Sequence, residues 1–350
     1  MLNVHTSGAG GGSVIRVDDV GRVTVGPDSM GSDPGPACYG LGGREPTLTD
    51  VNVVLGLVSP ENFASGEMPI YPEKSVEVVE NKVGKQLHLA SKDAAAGVYR
   101  VATNQIAEAI RKATVEGGHD PRDFTLVAFG GGGPLHACAV AREVGIGRVL
   151  VPRHPGLFSA RGIALSDFLH DYVQSIVRPL ASLNSGEIEH LFSQLEAEAH
   201  EDLGTEGIAK GDRQILRSLE MRYAGQSSEI NVSIADARDD IVGFASGKFH
   251  NLHELLYSYA VPGEPIELVN LRVRAVGKVA RPPMTTATAS SEVCKRFAQR
   301  NIYLPEDRQI ASVPVYRRAD LKPSHRIAGP AIVDEASSTT FLIPGTSAVV

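Results

Sequence analysis

Thr125-Leu-Val-Ala-Phe-Gly-Gly-Gly-Gly-Pro-Leu-His136 is the stretch whose reading decides the fold class. Thr125 to Phe129 has the composition of a buried strand, and Gly130, Gly131, Gly132 and Gly133 form a turn behind it. Pro134 then stands at the first position of a helix reaching Glu143, where a proline costs no hydrogen bond. Arg148-Val-Leu-Val-Pro152 reads as the next strand, so the unit belongs to a parallel sheet with a right-handed crossover. Glycines admit a ligand close to the backbone, and the helix N-terminus adds partial positive charge. Such turns also serve packing alone. The dinucleotide fingerprint fails because Leu135 falls at the place of the third glycine, so an oxidoreductase of Rossmann type is not supported, and no Walker A string occurs.

Upstream, Ser91 to Gly117 reads as a long helix with Val98, Ala102, Ile106, Ala109 and Ala113 on one face and Asp93 at its positive end. Near the N-terminus Gly8, Gly10, Gly11 and Gly12 make a second backbone-exposing loop, just after His5 and Thr6. Ser13 to Val17 and Arg22 to Val25 suit a hairpin, and Gly26 to Pro46 an ordered loop around Cys38 and Tyr39. Thr49-Asp50 precedes a short helix over 51–57. Asp33 and Asp50 suit a turn former and a helix cap better than metal ligands. His250 and His253, with Glu254 behind them, match no zinc-protease order, and His170-Asp171 follows an apolar run; both suit structural roles.

Near residue 176 the texture changes. We expect an α/β lobe over 1–176 and a β-richer domain over 177–350, with helices over 188–203 and 249–257, strands within 215–234 and 266–279, and a linker over 281–291. At 42% apolar and 21% charged, the chain can build real cores and is not of disordered type. Its net charge of −7 is dispersed, and no basic block marks a nucleic-acid or anionic-membrane role. Cys38, Cys138 and Cys294 lack metal or disulfide spacing, which suits reduced thiols and a cytoplasmic setting. No signal-type N-terminus and no membrane-length apolar run is seen.

The order of the strings is more specific than any one of them. His5-Thr-Ser-Gly-Ala-Gly-Gly-Gly-Ser13, Asp33-Pro-Gly-Pro-Ala-Cys-Tyr-Gly40, Glu45-Pro-Thr-Leu-Thr-Asp50, Phe129-Gly-Gly-Gly-Gly-Pro-Leu-His136 and Val151-Pro-Arg-His-Pro-Gly156 resemble consecutive signatures of the hydantoinase A/oxoprolinase family. Met221-Arg-Tyr-Ala-Gly-Gln226, Glu267-Leu-Val-Asn-Leu-Arg272 and Gly329-Pro-Ala-Ile-Val333 resemble its C-terminal region. The resemblance implies an actin/Hsp70-like ATPase lobe, the second half of that core, followed by a β-rich C-terminal domain. It implies ATP and Mg²⁺ as cofactors of the full-length enzyme, with Gly130 to Gly133 on the adenosine side and Gly8 and Gly10 to Gly12 near the active cleft. His5, Asp33 and Asp50 are its catalytic candidates, by position in the signatures alone; no metal ligands are assigned.

Family members open lactam or hydantoin rings through a phosphorylated amide, or carboxylate ketones. The Asp-x-Gly-Gly-Thr-like phosphate loops that such members carry upstream do not occur in these 350 residues. The resemblance therefore implies a C-terminal half, working in a hetero-oligomer with an N-terminal half and a hydantoinase B-type partner and inactive alone. The other readings are a ketone-carboxylase subunit and a non-catalytic assembly subunit.

Overall fold

Small side chains let the helix Ser91–Val115 lie close against its neighbours: Ala94, Ala95, Ala96, Ala102 and Ala107 have no exposed surface. In this computed structural model, which describes residues 6–282 and 294–350, that helix is central to the first of two compact units. The first unit holds the described residues up to Arg161 together with 294–350. The second runs from Gly162 to Pro282.

The first unit opens with the antiparallel hairpin Ser13–Val17 and Val23–Ser29, then the helices Leu48–Val54 and Pro72–Val79. After the long helix, Leu126–Val127 and Val149–Leu150 pair in parallel around the helix Gly133–Val144. This is the crossover expected from the sequence, with shorter strands. The expected buried strand through Phe129 is buried on one side only, since Val127 and Phe129 are exposed.

A four-stranded sheet then follows in the order Ser338–Leu342, Ala331–Glu335, Gln309–Arg317, Ala298–Leu304. Its central pair is parallel and the outer pairs antiparallel. Ile302, Val313, Ile332 and Phe341 of this sheet share one core with Val51, Leu55, Val98 and Tyr99. The join is close: Tyr303 N donates to Leu55 O at 2.8 Å, and a Cβ on Gly56 would lie 2.8 Å from Asn301 O. Only glycine suits that point, where φ is +75°.

The second unit is an antiparallel sheet in the order Phe168–Pro179, Ile266–Gly277, Arg213–Tyr223, Ile230–Ser233. The helices Ser185–Thr205 and Ile241–Tyr257 bury Phe192, Leu203, Ala245 and Phe249 against Leu219, Met221 and Leu271. Asn184 and Glu187 form a capping box that starts the first of these helices.

The compact units therefore do not divide at residue 176, which lies inside the strand Phe168–Pro179. The C-terminal strands return to the first unit because their apolar faces complete the core beside Ser91–Val115. The linker expected over 281–291 falls almost wholly outside the described residues.

That shared core can be tested. Phe341→Ala removes a fully buried ring and should cost about 3–5 kcal/mol in urea denaturation. It should also speed amide exchange along 91–115; unchanged exchange there would separate the C-terminal strands from this core.

Candidate functional site

The glycine turn after Leu126–Val127 is held from two sides. Gly130 N donates to Pro155 O at 2.7 Å, and Ser338 Oγ donates to Gly131 O at 3.2 Å. His154 N in turn donates to Glu335 Oε1 at 3.0 Å. Gly156 approaches so closely that a Cβ there would meet Ser337 O at 2.6 Å. Three segments distant in sequence, 130–133, 154–156 and 335–338, thus meet in one place. Cβ atoms on Gly130, Gly132 or Gly133 would meet nothing within 4 Å, so the turn faces open space. At the start of the helix behind it Pro134 has no N–H and Leu135 N donates to Gly132 O at 3.2 Å.

Gly11, Gly12, Gly131 and Gly132 line one cavity of about 490 Å³ together with Thr49, Asn62, Asp334, Glu335 and Thr339. Asp334 is nearly buried and held by Arg300 Nη2 at 2.5 Å, with Asn62 Nδ2 and Thr339 Oγ1 each at 3.4 Å. A second cavity, of about 310 Å³, is lined by Gly10, Gly11, Gly132, Gly133, Asn52 and His136 with aliphatic neighbours. Gly11, Asn52 and Gly132 border both. His136 stacks on Tyr99 with centroids 4.5 Å apart, and its Nε2 lies 3.4 Å from Asn52 Nδ2. Burial pushes its imidazole down to about 4, so the ring is neutral near pH 7. Asn52 Oδ1 and His136 Nδ1 are buried without a hydrogen-bond partner.

The structure brings together most of the glycines singled out in the sequence. Gly10, Gly11, Gly12, Gly131, Gly132 and Gly133 line the two cavities. Gly8 does not: its Cβ position is 2.9 Å from Pro27 Cα, and its carbonyl accepts from Ser13 Oγ at 2.6 Å. Gly130 lines neither cavity; its φ of +83° makes the turn instead.

The carboxylate candidates separate from the cleft. Asp50 is wholly buried and accepts from Ala37 N, Cys38 N, Thr47 N, Thr47 Oγ1 and Ser75 Oγ. It is the N3 member of a capping box whose cap is Thr47, and the helix starts at Leu48. With its oxygens engaged, Asp50 organises the 37–47 loop and is not available to a ligand. Asp33 is exposed and borders neither cavity. His5 lies outside the described residues.

Cys38, beside Asp50, is raised to about 12 by burial and that neighbouring charge, so it is an inert thiol. In the second unit His170 pairs with Glu206 at 2.8 Å while Asp171 binds Arg274, and His253 is fixed by Gln226 and Tyr259 O. The structural reading of both pairs fits these contacts. Asn52, Asp334 and Glu335 were not singled out in the sequence. The signal was present at Asp334, a charged residue at the end of the buried run Ala331-Ile-Val333.

Two outcomes follow. Asp50→Ala strands several buried donors and should cost about 3–5 kcal/mol or abolish folding, read by denaturation; a stable, folded variant would contradict the structural role. For His136 the folded pKa lies below its ordinary 6.5, so the unfolded chain binds more protons between about 4 and 6.5. Stability should thus be complete above pH 6.5 and fall toward pH 4, with His136 contributing on the order of 3 kcal/mol. A His136→Gln variant should flatten that part of the curve, and an unchanged slope would contradict it.

The Hydantoinase/oxoprolinase family model matches residues 1–172 and the Hydantoinase/oxoprolinase C-terminal domain matches 181–350. The chain is 32% identical to caprolactamase subunit alpha of Pseudomonas jessenii over 99% of its length and 51% of that protein's. The solved ATP-dependent caprolactamase from that organism superposes with a TM-score of 0.72 at 30% identity, over 100% of this chain and 52% of that one. The 5-oxoprolinase 1 of Arabidopsis thaliana is 30% identical over 100% of the chain and 29% of its own length. The nucleotide-free acetone carboxylase structure shares the fold, with a TM-score of 0.87 at 23% identity, covering 98% of this chain and 50% of that one. The chain thus spans about half the length of the caprolactamase subunit that it matches. It belongs to the hydantoinase/oxoprolinase family.

Proposed function

We propose that the chain is part of an ATP-dependent hydrolase that opens a cyclic amide, of the lactam or hydantoin type. The observation that carries this reading is the meeting of Gly11, Gly12, Gly131 and Gly132 around one cavity, in a chain similar to caprolactamase and 5-oxoprolinase. An unstrained lactam is resonance-stabilised and resists water. ATP supplies a phosphoryl group that turns the amide oxygen into a leaving group.

The residues present fit one end of such a nucleotide. Backbone without side chains, at the start of a helix, suits the ribose and the nearer phosphate. The far phosphates need positive charge, and among the described residues no Lys or Arg borders either cavity. Of the two acids at the cleft, Asp334 is held by Arg300 and Glu335 accepts from His154 N. The grip on the triphosphate and on Mg²⁺ therefore belongs to another part of the enzyme. We place it in the half of the relatives that this chain does not match, with a hydantoinase B-type subunit as further partner. Within the chain, Ser338, Pro155 and Asp334 position the turn and the cleft wall.

In the assembled enzyme, opening of 5-oxoproline or caprolactam with matching ADP release is the expected result, while the purified chain alone shows no ATPase. A Cβ on Gly132 meets nothing within 4 Å, so Gly132→Val projects into the space that both cavities border and should raise the KM for ATP by roughly tenfold or more. Unchanged ATP kinetics would remove the turn from the site, and bicarbonate-dependent ketone turnover instead would assign the chain to the carboxylases.

A further inference from the structure

Two neighbouring carboxylates line the 490 Å³ cavity, and their surroundings differ. Asp334 is occupied: Arg300 Nη2 binds it at 2.5 Å, and Asn62 Nδ2 and Thr339 Oγ1 stand at 3.4 Å. Glu335 has no such cation. Among the described residues Oε1 accepts from His154 N at 3.0 Å, no hydrogen bond reaches Oε2, and the partner within ion-pair distance is His154. Where two acids share a site and one is locked in an ion pair, the other is the one free to exchange protons.

The backbone is bent to bring His154 to Glu335. At φ +54° and ψ +57° His154 is left-handed, an uncommon conformation for a residue other than glycine. The next two residues lock it there. Pro155 O accepts from Gly130 N at 2.7 Å, and the lack of a Cβ lets Gly156 press against Ser337. So held, the imidazole bridges inside and outside: Nδ1 lies 3.6 Å from Glu335 Oε1, while the His154 side chain is 60% exposed and that of Glu335 11%. A small rotation of the exposed ring closes that separation to a hydrogen bond. A half-buried carboxylate on a cavity, with an exposed imidazole behind it, can pass a proton between cavity and solvent.

We propose that Glu335 is the general acid–base of this cavity and His154 its connection to solvent, with Asp334 a structural carboxylate. The assignment rests on the reading of the chain as part of a cyclic-amide hydrolase, and names the groups that handle its protons. Phosphoryl transfer from ATP leaves the amide oxygen bonded to phosphorus and the carbon–nitrogen bond with iminium character. Water then adds to that carbon: a C–O bond forms, the C=N π pair moves to nitrogen, and a water proton passes to Glu335. The C–N bond breaks next and its electron pair stays on nitrogen, which takes the proton from Glu335 and that of the new hydroxyl. An ammonium and an acyl phosphate result. A second water attacks the acyl carbon, and the bond from that carbon to the phosphate oxygen breaks. Of its two protons one leaves on phosphate and one must reach solvent, which is the passage through Glu335 and His154.

The test is Glu335→Gln in the assembled enzyme, with ADP and ring-opened product measured separately. The amide side chain still offers His154 N an acceptor, so the variant should fold. Steady-state ring opening should fall by roughly a hundredfold or more, with the KM for ATP unchanged. A first-turnover burst of ADP should persist, because phosphoryl transfer precedes the step that needs the base. His154→Asn accepts a left-handed backbone and keeps the N–H while removing the titratable ring. It should lose roughly tenfold in ring opening, restored by added imidazole.

Ring opening by Glu335→Gln at the wild-type rate would overturn the proposal. So would loss of the ADP burst or a raised KM for ATP, either of which would put Glu335 on the nucleotide. A His154→Asn variant at full rate, or an impaired one that imidazole leaves unchanged, would overturn the connection to solvent. Should Glu335→Gln fail to fold, carbodiimide and glycine ethyl ester are applied to the unmodified chain and the products mapped. Labelling of Glu335 in preference to Asp334 supports the assignment, and the reverse order overturns it. A wild-type enzyme that opens no cyclic amide contradicts the proposed function and this assignment with it. A wild type that opens one, matched by Glu335→Gln, contradicts this inference alone.

Discussion

The glycine turn exists where it does because backbone groups on either side of it are taken by segments from elsewhere in the chain. Gly130 N is bound by Pro155 O and Gly131 O by Ser338 Oγ, so the turn is clamped between the loop after the second strand and the C-terminal hairpin. Glu335, which accepts from His154 N, ties the first clamp to the C-terminal strands, and the second depends on those strands reaching the first unit. They do so through one core, in which Ile332 and Phe341 pack with Val98 and Tyr99. Asp334 and Glu335 then stand across the cleft from the turn as a consequence of that packing.

Much of this was legible in the sequence, for identifiable reasons. The crossover around Gly133–Val144 follows from a strand-type run, four glycines and a proline, each a local signal. The hairpin at 13–29 and the helix Ser185–Thr205 follow from periodicity, while the helix Ile241–Tyr257 was legible only over its second half, 249–257. The convergence of the Gly10–Gly12 loop with the second turn had a local basis in that both expose backbone. The family itself was carried by ordered strings rather than by periodicity.

What escaped the reading was non-local. Residues 294–350 follow the second unit in the chain yet pack with the first, because burial of Ile302 and Phe341 is decided by partners about 200 residues away or more. Asp50 suited a capping role in the sequence and has one, but its burial under donors from Ala37, Cys38 and Ser75 could not be read from spacing. Gly8 differs from Gly10 to Gly12 only in what lies beside it, Pro27, which is a tertiary fact. Val127 and Phe129 read as core, and their exposure, with Phe158 against Phe129, is a tertiary fact.

The account stands or falls on whether nucleotide meets the cleft at the clamped turn. Photolabelling of the assembled enzyme with 8-azido-ATP, followed by peptide mapping, addresses this directly. The account predicts modified peptides from the segments around Gly10–Gly12, Gly131–Gly133 or Asp334–Thr339, suppressed by excess ATP. Suppressible labelling of this chain confined to the second unit, between Gly162 and Pro282, would contradict it.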